Sequence, residues 1–172
     1  MSVQRVGHQA TSLSGGKVLV TGGRTSFAPS ASVELYDPVT NTWAAAASMG
    51  GWRFDHTATL LPGGKVLVTG GQTSSGTSSS AELYDPKTNT WSVAPSMSTA
   101  RYYHTATPLA DGKVLVTGGA TDFGPTASAE LYDPVTNTWS AAAGMTSPRY
   151  YHAATLLAGG RVFVSAGYSG GS

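Results

Sequence analysis

The chain contains no cysteine, and only 11% of its 172 residues are charged. The lack of cysteine excludes disulfides, thiolate zinc sites and cysteine nucleophiles. The net charge of +1 gives no reason to expect a nucleic acid partner, because phosphate binding needs clustered lysine and arginine. No apolar run approaches the length of a membrane span. We therefore expect a soluble chain with no nucleic acid and no membrane partner.

Strong helix-forming charged residues are also scarce, since glycine, serine, threonine and alanine fill much of the chain. An amphipathic helix needs a charged or polar face opposite an apolar stripe, and no segment supplies one. Residues 1–5 lack the apolar core of a signal peptide, so any export signal would lie outside this chain. An extracellular or cell-surface bacterial location is favoured only if the parent chain carries such a signal.

The chain repeats itself every 48 residues. The repeated landmarks are the histidines His8, His56, His104 and His152, the tryptophans Trp43, Trp91 and Trp139, and the glycine pairs at 22–23, 70–71 and 118–119. A weaker pair, Ala166 and Gly167, continues the series. Self-similarity at a fixed period of this size indicates a repeat architecture.

One repeat, residues 53–100, predicts four short antiparallel strands. Its β-branched and apolar segments are separated by glycine, proline, asparagine and aspartate, which favour turns. The predicted strands are 53–61, 65–69, 81–84 and one beginning at 91–93, with an unstructured Ser/Thr/Gly loop at 72–80. A single four-stranded sheet cannot bury both of its faces, whereas radial stacking of such sheets does, which predicts a β-propeller. A sheet-only solenoid is the alternative, although its coils are usually shorter.

The repeated motif resembles the kelch repeat. Arg-x-x-His is followed by Gly-Lys-Val-Leu-Val-Thr-Gly-Gly and by Glu-Leu-Tyr-Asp-Pro-x-Thr-Asn-Thr-Trp, over essentially the whole chain. The resemblance implies an all-β kelch-type propeller with the first strand of each blade along the central channel and the tryptophan on the outer part. We expect one domain, 1–172, with repeats 5–52, 53–100, 101–148 and a half repeat 149–172.

Three and a half blades leave the number of blades open. The chain is a fragment of a six- or seven-bladed propeller, an incomplete four-bladed ring, or one part of a ring that several copies complete. An open arc would expose apolar side chains of its first and last blades and unpaired strand edges, which favours self-association. The side chains in question are Val18, Val20, Leu156, Leu157, Val162 and Val164.

Several repeated polar residues suggest sites, but each has a structural explanation that we favour. The histidines could form a metal ring, yet a repeated position on an inner strand is more consistent with burial between blades and hydrogen bonding to backbone. Glu34, Glu82 and Glu130 recur once per blade, too far apart for a catalytic pair, and are expected to satisfy arginine or backbone partners. The aspartates before each proline are turn formers, and the tryptophans are packing residues. We therefore expect no metal and no cofactor.

The best candidate for a binding surface is the face where the inner strands begin. The loops 24–32, 72–80 and 120–128 differ from one another there, while the scaffold repeats. Aromatic and arginine side chains suit protein hot spots and sugar stacking. The candidate ligand-binding residues are Trp52, Arg53, Phe54, Arg101, Tyr102, Tyr103, Arg149, Tyr150 and Tyr151. The alternative is that the arginines and tyrosines only support neighbouring blades.

The resemblance to one enzyme of the same propeller type raises the possibility of a catalytic function. The segment around one copper-ligand tyrosine of galactose oxidase resembles Arg101-Tyr102-Tyr103, which would make Tyr103 or Tyr151 the candidate ligand. The cysteine cross-linked to that tyrosine would lie near Asp55, and the chain has none. We therefore predict a non-catalytic binding or scaffold module for a protein or glycan. The alternative is a segment of a secreted galactose-oxidase-like enzyme whose active site lies elsewhere or is lost.

Overall fold

The structure is a computed structural model that describes residues 1, 3–26 and 28–170. All regular secondary structure in this range is β-strand. The first blade contains β1 (Gln9–Ser12), β2 (Val18–Thr21), β3 (Val33–Asp37) and β4 (Thr42–Ala46). The second contains β5 (Thr57–Leu60), β6 (Val66–Thr69), β7 (Gln72–Thr73), β8 (Gly76–Thr77), β9 (Ala81–Asp85) and β10 (Thr90–Ala94).

The third blade repeats the second, and the fourth is a hairpin within the described residues. The third contains β11 (Thr105–Pro108), β12 (Val114–Thr117), β13 (Ala120–Thr121), β14 (Gly124–Pro125), β15 (Ala129–Asp133) and β16 (Thr138–Ala142). The fourth contains β17 (Ala153–Leu156) and β18 (Val162–Ser165). The main sheets are antiparallel, with strand orders β1-β2-β3-β4, β5-β6-β9-β10 and β11-β12-β15-β16. This confirms the predicted kelch-type blades.

Two short hairpins occupy loops that the sequence predicts to be unstructured. β7 pairs with β8, and β13 pairs with β14, each through only two residues per strand. The hydroxyl of Thr73 donates to the carbonyl of Gly76, and the hydroxyl of Thr121 donates to that of Gly124. Two-residue strands are too short to show alternation, so the pattern could not reveal them.

The second strand of each complete blade is the apolar centre of the fold. All four residues of β6 are buried, because both faces of this strand pack against other blades. One cluster of buried residues joins the first and second blades, and another joins the second and third. The first contains Leu13, Leu19, Val33, Met49, Val66, Val68 and Tyr84, and the second contains Leu61, Leu67, Ala81, Ala94, Val114 and Tyr132.

The glycine pair after each second strand brings neighbouring backbones together. Gly71 N–H donates to the carbonyl of Arg101 in the next blade at 2.9 Å. Gly70 has a φ of +64°, and a Cβ there would lie 2.5 Å from the carbonyl oxygen of Arg101 and 2.7 Å from Cε1 of His104. Position 70 therefore needs glycine for both its left-handed backbone and the close contact.

The four inner strands lie side by side in the order β1, β5, β11, β17. β17 does not pack against β1 as consecutive inner strands do, so the described residues form an open arc rather than a closed four-bladed ring. At the last blade Leu157 and Phe163 are exposed, and β18 has β17 as its one strand partner among the described residues.

The expected exposure of Val20 is wrong, since this side chain is only 3% exposed. Val20 and Glu34 are cross-strand partners, so their side chains share a face of the first blade. Arg5 forms an ion pair with Glu34 on that face at 2.9 Å. Val20 therefore shares a buried face of the first blade with the ion pair of Arg5 and Glu34. Val18, Leu156, Val162 and Val164 are half-buried, so the prediction of exposure holds fully for Leu157 alone.

We expect the isolated chain to self-associate as its concentration rises, because β18 offers an unpaired edge beside the exposed ring of Phe163. Light scattering should show a rising apparent mass, and Phe163→Lys should lower it. Val135→Lys is the matched control, because Val135 is an exposed apolar residue on a turn away from this edge. A stable monomer at all concentrations would contradict the role of the edge.

Candidate functional site

The arginine at the start of each complete blade is buried inside that blade. Arg101 is 0% exposed and forms an ion pair with Glu130 at 3.0 Å. Its guanidinium also donates to the carbonyl of Gly118 at 2.7 Å and to the hydroxyl of Ser128 at 2.9 Å. Burial lowers the pKa of Arg101, and the neighbouring Glu130 opposes this effect. These contacts assign the guanidinium to the blade rather than to the surface.

Arg53 repeats this arrangement, whereas Arg149 does not. Arg53 is 3% exposed and pairs with Glu82 at 2.7 Å. Arg149 is half-buried and donates to the carbonyl of Ala166 and to the hydroxyl of Ser147. No carboxylate lies within ion-pair distance of it among residues 1, 3–26 and 28–170. The burial of Arg53 and Arg101 therefore favours a supporting role for these two side chains and removes them from the accessible rim.

His56, His104 and His152 bridge neighbouring blades, as expected, but their partners are threonine hydroxyls. His8 is instead hydrogen-bonded to the backbone carbonyl of Arg5 in its own repeat. Nε2 of His56 lies 2.8 Å from Oγ1 of Thr21 in the first blade. Nε2 of His104 lies 3.0 Å from Oγ1 of Thr57 in the second blade, and His152 repeats this contact with Thr105. Burial lowers the pKa of His56 and of His104 to about 3, so both rings are uncharged near neutral pH.

The outer polar residues also behave as expected. Oδ1 of Asp85 accepts the N–H of Lys87 in the turn before β10. The ring of Trp91 packs against Tyr84 with centroids 5.0 Å apart, and its Nε1–H donates to the carbonyl of Ala47 in the preceding blade at 2.7 Å. The hydrogen bond of Trp91 thus links the outer parts of the first and second blades.

The residue before each inner histidine forms a backbone ladder around the channel. These residues are Gly7, Asp55, Tyr103 and Tyr151, and each has a positive φ, between 53° and 66°. The N–H of Asp55 donates to the carbonyl of Gly7 at 2.8 Å, and each later member donates likewise to the member before it. This ladder uses only backbone atoms. In the second, third and fourth blades it presents one side chain each, from Asp55, Tyr103 and Tyr151.

The ladder places a cluster of tyrosines at the channel mouth. The rings of Tyr103 and Tyr151 are stacked, with centroids 3.8 Å apart and planes inclined by 28°. Tyr102 and Tyr150 pack against these two rings, and Tyr168 contacts Tyr150 and Tyr151. Tyr151 is 55% exposed and Tyr168 67% exposed. Tyr168 was missed by the sequence analysis.

Asp55 joins this cluster through its carboxylate. The hydroxyl of Tyr103 lies near the carboxylate of Asp55 and near the hydroxyl of Tyr151. Burial and these two neighbours raise the pKa of Tyr103, so its phenol stays protonated. Burial raises the pKa of Asp55, and the neighbouring hydroxyl of Tyr103 and the charge of Arg24 oppose this shift.

Together these residues line a funnel of about 590 Å³ at the channel mouth. Its lining residues are Val6, Gly7, Gln9, Arg24, Asp55, His56, Tyr103, His104, Tyr151 and His152. Of the predicted site residues, Tyr103 and Tyr151 line the funnel, and Tyr102 and Tyr150 support them. Asp55 and Arg24 were not among the predicted ligand contacts. Asp55 could have been found, since it lies 48 residues before Tyr103.

The remaining aromatic candidates form a separate pair. The rings of Trp52 and Phe54 stack with centroids 6.1 Å apart. The guanidinium of Arg24 lies over the ring of Phe54, 5.2 Å from its centroid. Trp52 lines a different cavity, shared with Arg53 and residues of the 72–80 loop. Phe54 therefore borders the funnel only through Arg24, and Trp52 is not part of it.

A model of the KLHDC2/KLHL20/DRC7 Kelch-repeats domain matches residues 7–172, nearly the whole chain. The chain belongs to the kelch-repeat family. Kelch-repeat domains generally mediate protein interactions and are typically non-catalytic binding modules. A search of curated proteins finds no significant match.

The kelch fold is also shared with the solved structure of YjhT. That likeness has a TM-score of 0.76 at 19% sequence identity and covers 88% of this kelch chain. It spans 56% of the YjhT chain, so this chain corresponds to a little over half of that protein. At this identity the match shows the shared fold only.

Two further observations concern metals and membranes. Among residues 1, 3–26 and 28–170, no three histidine, cysteine, aspartate or glutamate side chains are grouped so that they could hold a metal ion. That part of the kelch chain also contains no helix of sufficient length and apolarity to cross a membrane.

Proposed function

We propose that the chain is a non-catalytic binding module whose ligand docks at the channel mouth, on the stacked tyrosines Tyr103 and Tyr151. The observation that carries this proposal is a cluster of five tyrosines, two of which line a funnel of about 590 Å³. Tyrosine gives large contact area at a small cost in side-chain entropy, which is typical of protein-binding hot spots. A segment of a protein partner is the ligand that this surface favours.

The frame supports this role because it holds the tyrosines independently of a ligand. The backbone ladder is hydrogen-bonded within the chain, and the buried guanidinium of Arg101 is paired with Glu130. The ring of Tyr151 is nevertheless half exposed although it stacks on Tyr103. A preorganised aromatic surface loses little conformational freedom when it binds.

A glycan is the second candidate. Tyrosine rings can stack on the apolar face of a sugar, and their hydroxyls, together with the carboxylate of Asp55, can bond to sugar hydroxyls. Stacked rings beside a half-buried carboxylate are the specific feature that favours this alternative. It uses the same funnel as the protein segment.

We expect Tyr151→Asn to weaken ligand binding by at least about tenfold with little loss of stability. Asparagine tolerates the left-handed backbone at this position, where φ is 55°, so the ladder stays intact. The measurement is titration of peptides selected from a phage-displayed library, and of hits from a glycan array, against both chains. Val135→Ala, on the opposite face, is the control and should leave binding unchanged. Ligands that bind the Tyr151→Asn chain equally well would overturn the proposal.

A further inference from the structure

The charge of the funnel is concentrated on two side chains. Asp55 is the one carboxylate among the described residues that line it, and Arg24 is the one lining residue with a permanent positive charge. The histidines beside them do not compete, because burial holds the pKa of His56 and of His104 at about 3. The preference of the funnel for charged ligands therefore depends on how Asp55 and Arg24 are placed.

Asp55 is the more enclosed of the two. Its Oδ1 lies 2.5 Å from where a Cβ on Gly7 would be, so the carboxylate fills the space that this glycine leaves. Its nearest neighbour, the hydroxyl of Tyr103, is neutral, and the charge of Arg24 acts on it more weakly than that hydroxyl does. A half-buried carboxylate with neutral hydrogen-bond donors is stabilised when a cation approaches it.

The side chain of Arg24 is exposed and already contacts an aromatic ring. Its guanidinium lies over the ring of Phe54, and its backbone is paired with that of Val6. An exposed charge is screened by salt more effectively than a half-buried one. The contact with Phe54 also shows that an aromatic ring on this rim accepts a guanidinium.

The tyrosine walls favour a cation as well. The face of an aromatic ring carries a negative electrostatic potential, and a nearby carboxylate adds to it. Tyr103 and Tyr151 present stacked rings near Asp55, and the hydroxyl of Tyr103 is the one next to its carboxylate. An anion would meet repulsion from both the carboxylate and the ring faces.

We infer that the funnel binds a basic side chain, arginine or lysine, of a protein partner, with its cationic group at Asp55 and against Tyr103 and Tyr151. This inference rests on the proposed function and adds the chemistry of the ligand. The charge-assisted bond to Asp55 provides orientation, and the rings cover the aliphatic part of the incoming side chain.

The test uses the peptides selected from the phage-displayed library and titrates each one at about 50 and 300 mM NaCl. We expect the selected peptides to be enriched in arginine or lysine. Asp55→Asn should weaken their binding by about tenfold or more, since a charge-assisted bond is lost. Asparagine retains the shape of Asp55 and tolerates its φ of 56°. Asp111→Asn, an exposed carboxylate on an opposite turn, is the matched control and should have no effect.

Arg24→Ala separates the possible classes of ligand. For a basic side chain, removal of this competing charge should strengthen binding by about twofold to threefold, more at low salt. Weaker binding with Arg24→Ala and stronger binding with Asp55→Asn would indicate an anionic ligand and overturn the inference. Salt-independent binding that both variants weaken would indicate a neutral ligand such as a glycan, which also overturns it.

The same experiment distinguishes failure of the inference from failure of the proposed function. Peptides that lose binding with Tyr151→Asn but not with Asp55→Asn would support a tyrosine docking surface without a cation site. Peptides that are indifferent to Tyr151→Asn would overturn both. N-acetyl-arginine methylamide, titrated by NMR, is a direct probe. It should shift the resonances of Tyr103 and Tyr151 in the unsubstituted chain but not in the Asp55→Asn chain.

Discussion

Arg101→Ala is expected to lower the free energy of unfolding by about 3–5 kcal/mol, because it leaves the carboxylate of Glu130 buried without its partner. The substitution also removes the donors to the carbonyl of Gly118 and the hydroxyl of Ser128. Urea unfolding at low protein concentration measures the change.

Arg149→Ala is the matched control, because the chain provides the same position without the carboxylate. Loss of its hydrogen bonds should cost about 1 kcal/mol. The double variant Arg101→Ala with Glu130→Ala should recover part of the loss, since no unpaired charge is then buried. Equal losses for Arg101→Ala and Arg149→Ala would show that the buried ion pair is not the source of the effect.

Acidification is expected to destabilise the fold between about pH 6.5 and pH 3. In this range the inner histidines accept protons in the unfolded chain but not in the folded chain. Burial lowers the pKa of His56 and of His104 to about 3. The unfolded chain therefore binds more protons than the folded chain in this range. The stabilisation is complete above the unfolded pKa and declines as the pH falls. At pH 4 each histidine accounts for roughly 3 kcal/mol.

Thermal unfolding from pH 8 to pH 4 measures this dependence. His104→Gln should lower the melting temperature at pH 8, because it perturbs the contact with Thr57, but it should reduce the further loss at pH 4. The double variant with His56→Gln should reduce that loss about twice as much. A chain whose melting temperature is the same at pH 6.5 and pH 4.5 would contradict protonation of these rings as the cause.

The blades could be predicted because their signals are local and repeated. The Val-Leu-Val-Thr strands, the glycine pairs and the Asp-Pro turns each specify a short piece of backbone, and β6, β9 and β10 lie close to where the sequence predicts them. β7 and β8 could not be predicted, because two-residue strands show no periodicity.

The site was less predictable because its contacts cross between blades or between distant strands. The sequence makes Arg53 and Arg101 rim candidates and leaves a supporting role as the alternative; register brings Glu82 and Glu130 to their guanidinium groups and buries them, in line with that alternative. The histidines were expected between blades, but the choice of threonine hydroxyls over backbone depends on geometry across the interface.

The funnel could not be predicted because it depends on the backbone conformation of the residues that line it. The positive φ of Asp55, Tyr103 and Tyr151 turns these residues towards a common mouth, and only Asp and Asn commonly favour such a conformation among residues with side chains. Nothing in Arg-Tyr-Tyr-His indicates that the second tyrosine adopts it. The 48-residue period places Asp55 in phase with Tyr103, but the pattern alone gives no sign that their side chains meet.

The backbone ladder through Gly7, Asp55, Tyr103 and Tyr151 lets the repeated frame and the channel mouth vary separately. Duplication of one 48-residue unit copies the arginine, the histidine and the glycine pair that build the frame. Substitution at the residue before the histidine, within the residue types that its left-handed backbone accepts, then alters the mouth of the channel while the ladder bonds persist. A repetitive gene can thus acquire an asymmetric channel mouth through a few substitutions.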